Sequence, residues 1–127
     1  MLPRMKKALI VIAHGSRETA SNDSLFDFLK RFREQYTERL VQPAFLELAS
    51  PLIPEAIDLC AEQGIKDIVI VPLMFFAGRH VKKDIPEMIE KAKMKYPEVD
   101  FHYAGPLSEH PGLFQILNDK ASGKHGK

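Results

Sequence analysis

The chain has 127 residues, 45% of them hydrophobic and 28% charged, values that fit one globular domain built on a single core. Eighteen basic residues against 17 acidic ones leave a formal net charge of +1, so no field for nucleic acid or a membrane surface is expected. Cys60 is the only cysteine, which excludes an internal disulfide and a CxxC metal site and suits a reducing compartment.

The opening MLPRMKKALIVIA imitates a signal peptide, with basic residues ahead of apolar ones. Its apolar run is short, and HGSR stands where a cleavage site would be expected, so it reads as a first strand. No segment approaches the roughly 20 apolar residues that cross a bilayer, and a soluble, cytoplasmic protein is expected.

The first strand is expected over Lys7–Ala13 and stops at His14-Gly15-Ser16-Arg17. Leu25, Phe28, Leu29, Phe32 and Tyr36 then recur at helical spacing, with Ser21, Asn22 or Asp23 as the expected cap. A second strand covers about Val41–Leu48, and Pro43 within it predicts a sheet edge. Ser50-Pro51 predicts a helix start, Ile53, Ala56, Ile57 and Cys60 its apolar face, and Gly64 its end. The third strand, Asp67–Phe76, is apolar enough to be central, with Pro72 demanding an irregularity near its carboxyl end.

Ala77-Gly78-Arg79-His80 reads as a turn before a helix with Ile85, Met88, Ile89 and Ala92 on one face and Asp84 and Glu87 spaced as a capping pair. Val99–Ala104 is the fourth strand, and Leu113, Ile116 and Leu117 predict a short last helix. The domain is expected over 1–120, with a frayed tail over 121–127. Regular alternation of strand and helix predicts an α/β fold: a four-stranded parallel sheet in the flavodoxin-like order 2-1-3-4, with helices on both faces.

That order makes the first and third strands neighbours across the topological switch, and open α/β sheets bind ligands at such a carboxyl edge. His14 follows the first strand, His80 follows the third, and Glu47 lies at the end of the second. Two imidazoles and a carboxylate suit Co²⁺, Ni²⁺, Fe²⁺ or Zn²⁺ and can also accept protons. Taken singly, His14 could cap its strand, His80 could be a solvated loop residue and Glu47 could cap the next helix; their convergence at one edge is what favours a site. Arg17, Arg79, Lys82 and Lys83 flank the same edge, either as a solvated rim or as partners for an acidic substrate. Met74, Phe75 and Phe76 end the third strand as core or as the floor of an apolar pocket. His102, His110 and His125 are given no role.

The motifs LIVIAHGSR (Leu9–Arg17), FLELASP (Phe45–Pro51), VPLMFFAGRHVKKDIP (Val71–Pro86) and YAGPLSEHPGL (Tyr103–Leu113) resemble those of the short form of the CbiX/SirB-type sirohydrochlorin chelatases, class II chelatases with a chelatase-like α/β domain. The resemblance covers about residues 6–118. It implies ATP-independent insertion of a divalent metal into sirohydrochlorin, with Co²⁺ first and Ni²⁺ or Fe²⁺ as alternatives, for cobalamin, F430 or sirohaem synthesis. It implies His14, His80 and Glu47 as the metal-handling and catalytic residues, and no cofactor beyond the substrate metal.

Ser16, Arg17, Phe76, Arg79 and Lys82 are expected to bind the macrocycle and its carboxylates. Relatives of double length carry two such halves around a cleft, which implies a homodimer here. A non-enzymatic metal carrier on the same site stays open. A histidine phosphatase would need arginine where Ala13 stands, and a flavin or nucleotide binder would need a glycine-rich loop that HGSR is not.

Overall fold

Ala8, Ile10, Val11 and Ile12 of the first strand are small or β-branched and all four are buried, so the strand is covered on both faces. The computed structural model describes residues 5–123, the His80 side chain excepted. Strand β1 (Lys7–Ala13) lies between β2 (Leu40–Phe45) and β3 (Asp67–Pro72), and β4 (Asp100–Tyr103) completes a parallel sheet in the order β2-β1-β3-β4. The expected topology is the observed one. The register pairs Ala13 with Phe45 and Ile12 with Pro72, so β1, β2 and β3 end together at one edge.

Helices α2 (Ile53–Glu62) and α3 (Arg79–Lys95) cover one face. Ile53, Ala56, Ile57 and Cys60 from α2 and Ile85, Ile89 and Ala92 from α3 pack on Ile10, Ile12, Ile68 and Ile70. Burial of each such isoleucine contributes about 1.5–3 kcal/mol. Helix α1 (Thr19–Arg33) covers the other face, with Leu25 and Leu29 against Val11, Val41 and Phe45. Helix α4 (Gly112–Ala121) follows a 3₁₀ turn at Leu107–Glu109, and none of its residues is buried.

Both strand prolines sit where a missing donor is harmless. Pro43 is in the edge strand β2. Leu73 N–H donates to Ile12 O at 2.7 Å, and donors alternate along a strand, so the position of Pro72 faces β4 beyond its last paired residue, Tyr103.

Several boundaries differ from expectation. Helix α1 begins at Thr19 with Glu18 as N-cap, so Ser21, Asn22 and Asp23 lie inside it. Strand β2 stops at Phe45, because Phe45 N–H turns to Pro51 O while Leu46 and Glu47 N–H donate to Ala13 O and His14 O. That detour carries the chain past Ser50-Pro51, and α2 starts at Ile53 with Pro54 in its first turn and the Glu55 carboxylate accepting Leu52 N–H at 2.8 Å. Strand β3 stops at Pro72, and β4 is shorter at both ends than predicted. Helix α3 starts at Arg79 after Gly78, so His80 belongs to its first turn rather than to a turn before it, and Asp84 and Glu87 are interior. Ala121 closes α4, and 124–127 of the expected tail, His125 included, lie outside the described residues.

Candidate active site

At the carboxyl edge the chain leaves β1 through Gly15, whose φ of +101° is open to glycine and costly for other residues. The absent side chain has a second consequence: a Cβ there would stand 1.7 Å from Glu47 O. The loop after β1 can therefore lie flat on the extension of β2, where Glu47 N–H donates to His14 O at 3.1 Å. These backbone contacts bring two side chains together: His14 Nε2 is 3.5 Å from Glu47 Oε1, with the side chains 60% and 57% exposed. The next residue, Leu48, holds a left-handed φ of 63°, a conformation that costs a branched side chain energy and turns the chain away just after the carboxylate.

The remaining predicted site residues divide among two hollows, an exposed loop and the first turns of α3. Ser16 and Arg17 line a hollow of about 310 Å³ with Asn22, Phe26, Phe45 and Leu48, between the end of β1, the start of α1 and the loop after β2. Lys82 lines another of about 390 Å³ with Tyr103, Gly105, Pro106 and Glu109, between α3 and the end of β4. Burial, and then the Glu109 charge, push the Tyr103 hydroxyl above its usual pKa. Phe76, in the loop after β3, is 79% exposed, and Phe75 beside it is also exposed, whereas Met74 packs on the core. Arg79 and Lys83 are exposed on α3. His80 is the second residue of α3, and its side chain lies outside the described residues.

Among the described residues no group of three or more His, Cys, Asp or Glu side chains stands together; His14 and Glu47 form a pair. His102 is exposed with Nε2 3.9 Å from Asp67 Oδ1, and His110 Nδ1 accepts Gly112 N–H, so both have local partners. Sequence reasoning missed Asn22, Tyr103 and Glu109 at this edge. A polar residue in the first turn after a strand-ending loop was the available signal for Asn22.

The family model for CbiX matches residues 8–123. A chloroplastic sirohydrochlorin ferrochelatase of Arabidopsis thaliana is 38% identical over 112 residues, covering 88% of this chain and 50% of that protein. A sirohydrochlorin cobaltochelatase of Methanopyrus kandleri is 34% identical, covering 89% of this chain and 93% of that protein. The crystal structure of the sirohydrochlorin chelatase SirB of Bacillus subtilis subspecies spizizenii in complex with cobalt superposes with a TM-score of 0.80 at 28% identity, covering 94% of this chain and 51% of that one. The chain spans half or less of the length of the Arabidopsis thaliana and Priestia megaterium relatives it matches.

Proposed function

The chain belongs to the CbiX family, and from that membership we propose that it inserts a divalent metal ion into sirohydrochlorin without ATP. The observation that carries this reading is the 3.5 Å separation of His14 Nε2 and Glu47 Oε1. It is long for a hydrogen bond, whereas two donors each bonded at about 2.1 Å to a tetrahedral ion stand roughly 3.4 Å apart. An imidazole and a carboxylate that face solvent with this spacing are a half-built divalent site, and the open positions are what a delivery site requires.

His80, in the first turn of α3, is the proposed second imidazole. Metallation removes the pyrrolic N–H protons and strips the ion of water. In this reading His14, His80 and Glu47 hold the ion, and Glu47, once it lets the ion go, assists deprotonation, so that ion and macrocycle meet in a local step. Arg17, Arg79 and Lys82, with Ser16, take the macrocycle's carboxylates, and Phe76 lies against its apolar face. Arg17 and Lys82 line separate hollows, as expected for a guest with carboxylates around its whole rim.

Co²⁺ is the proposed metal, with Fe²⁺ and Ni²⁺ as competitors; the names of the relatives include both ferrochelatases and cobaltochelatases. No cofactor beyond the substrate metal is proposed, and the cytoplasm is the proposed location. A homodimer is proposed, with the macrocycle cleft at or near its interface, because the chain exposes Phe75, Phe76, Phe114 and Leu117.

The test is the absorbance change of sirohydrochlorin on addition of each metal, with and without protein. Wild type should accelerate Co²⁺ insertion, and His14→Ala and His80→Ala should each abolish most of the acceleration. Metal binding without acceleration would make the chain a carrier instead.

A further inference from the structure

The His14 loop is held by a side chain whose spacing suggested only a helix cap. Asn22 Oδ1 accepts the Ser16 N–H at 2.9 Å, and Asn22 Nδ2 donates to Ser16 O at 2.7 Å. One planar amide thus satisfies both backbone groups of a single residue, as a neighbouring strand would, at a point where no strand is available. The loop is fixed by a second set of contacts as well, the Glu47 N–H on His14 O and the close approach that Gly15 permits. Ser16 Oγ, which accepts the Glu18 N–H at 3.1 Å, ties the same residue to the start of α1. The His14 ring is more than half exposed, so packing does little to aim it, and its direction follows from the backbone path of residues 14–16.

We propose that Asn22 is the positioning residue of this loop: its amide sets the path of His14-Gly15-Ser16, and with it the separation of His14 from Glu47 that a divalent cation would bridge. The second half of this inference rests on the function proposed above; the first half does not. An amide is the group the position requires. Aspartate would accept the N–H but set a negative oxygen against Ser16 O, and alanine would leave both groups to water.

The experiment measures amide hydrogen exchange at Ser16 and Glu47 in the metal-free chain, and Co²⁺ binding without macrocycle from the visible absorption of the bound ion. In Asn22→Ala, exchange at both amides should quicken about tenfold, the equivalent of one or two net hydrogen bonds. Co²⁺ affinity should fall about tenfold and the thermal midpoint by only a few degrees, the shift the same lost hydrogen bonds imply, since Asn22 belongs to neither buried cluster. Asn22→Asp should keep the Ser16 amide protected. Unchanged exchange in Asn22→Ala overturns the clamp, whatever the metal does. Faster exchange with undiminished Co²⁺ affinity overturns its bearing on the site. A wild-type chain that binds no Co²⁺, with exchange still faster in the variant, overturns the proposed function and leaves the clamp standing.

Discussion

Gly15 and Glu47 touch through a space that one methyl group would fill: a Cβ on the glycine would be 1.7 Å from the glutamate's carbonyl oxygen. Gly15→Ala must move one loop off the other and also force alanine into a φ near +101°. The backbone strain alone should cost about 1–3 kcal/mol of stability, read from denaturant unfolding. The displacement should cost on the order of a hundredfold in Co²⁺ insertion, the usual penalty for moving a reacting group by about 1 Å. Gly64→Ala is the control, with φ +86° and nothing within 4 Å of the added carbon. It should lose about 1–2 kcal/mol and keep its insertion rate. Equal rate losses in both variants would disconnect the Gly15 contact from the site.

Leu48 takes a left-handed φ of 63° with its side chain about half exposed. Leu48→Gly removes a conformational cost of about 1–2 kcal/mol and also loosens the unfolded chain, so stability should change by less than about 1 kcal/mol. The carboxylate one residue earlier would gain freedom. The expected signature is an unmoved thermal midpoint with weaker Co²⁺ binding. A variant that gains stability and binds Co²⁺ as wild type does would show that the strained turn has no part in aiming Glu47.

The sheet order was legible because β1 and β3 are continuous apolar runs and because Pro43 could stand only at an edge. The α2 face was legible from Ile53, Ala56, Ile57 and Cys60, all buried. The start of α2 was not, because Ser50-Pro51 carries a strong local cap signal that the hydrogen bonds of Leu46 and Glu47 to distant Ala13 and His14, with Phe45 N–H on Pro51 O, override. The reach of Asn22 to Ser16 is a tertiary contact disguised as local sequence, six residues apart. The periodicity of α4 identified a helix, but an apolar stripe has the same pattern whether it faces its own core or a partner.

Two carboxylates tie the fold together away from the site, and both should shape its acid stability. Arg39, just ahead of β2, donates to Asp67 Oδ1 at 2.9 Å and to Ala8 O at 3.2 Å, so it spans three strands. That hydrogen bond holds the Asp67 carboxyl below its usual pKa. Tyr96 OH donates to Asp58 Oδ1 at 2.5 Å and, with Lys95, lowers Asp58 in the same way, linking α3 to α2. A carboxylate whose folded pKa is depressed stabilises the fold above its unfolded value, near 3.9, and loses that contribution as pH falls through the folded value. Asp58→Asn and Asp67→Asn should each flatten the drop in thermal midpoint below about pH 4 and lower the midpoint at pH 7. An unaltered acid limb in both variants would assign acid unfolding to other groups.

Phe114 and Leu117 lie three residues apart on α4, 72% and 60% exposed, and none of the helix's residues is buried. An apolar stripe of this kind on a short helix calls for a covering surface. The proposed cover is a second copy of this chain, which can set the same apolar stripe against itself across a two-fold axis. Leu117→Glu and Phe114→Glu should convert a sedimenting dimer to a monomer with unchanged helical circular dichroism, because neither side chain belongs to a buried cluster. If the cleft lies at that interface, insertion should fall with the dimer and return as protein concentration rises. A wild-type chain that sediments as a monomer at every concentration, yet metallates sirohydrochlorin, would confine the working site to one sheet edge and leave the exposed face of α4 for a different partner.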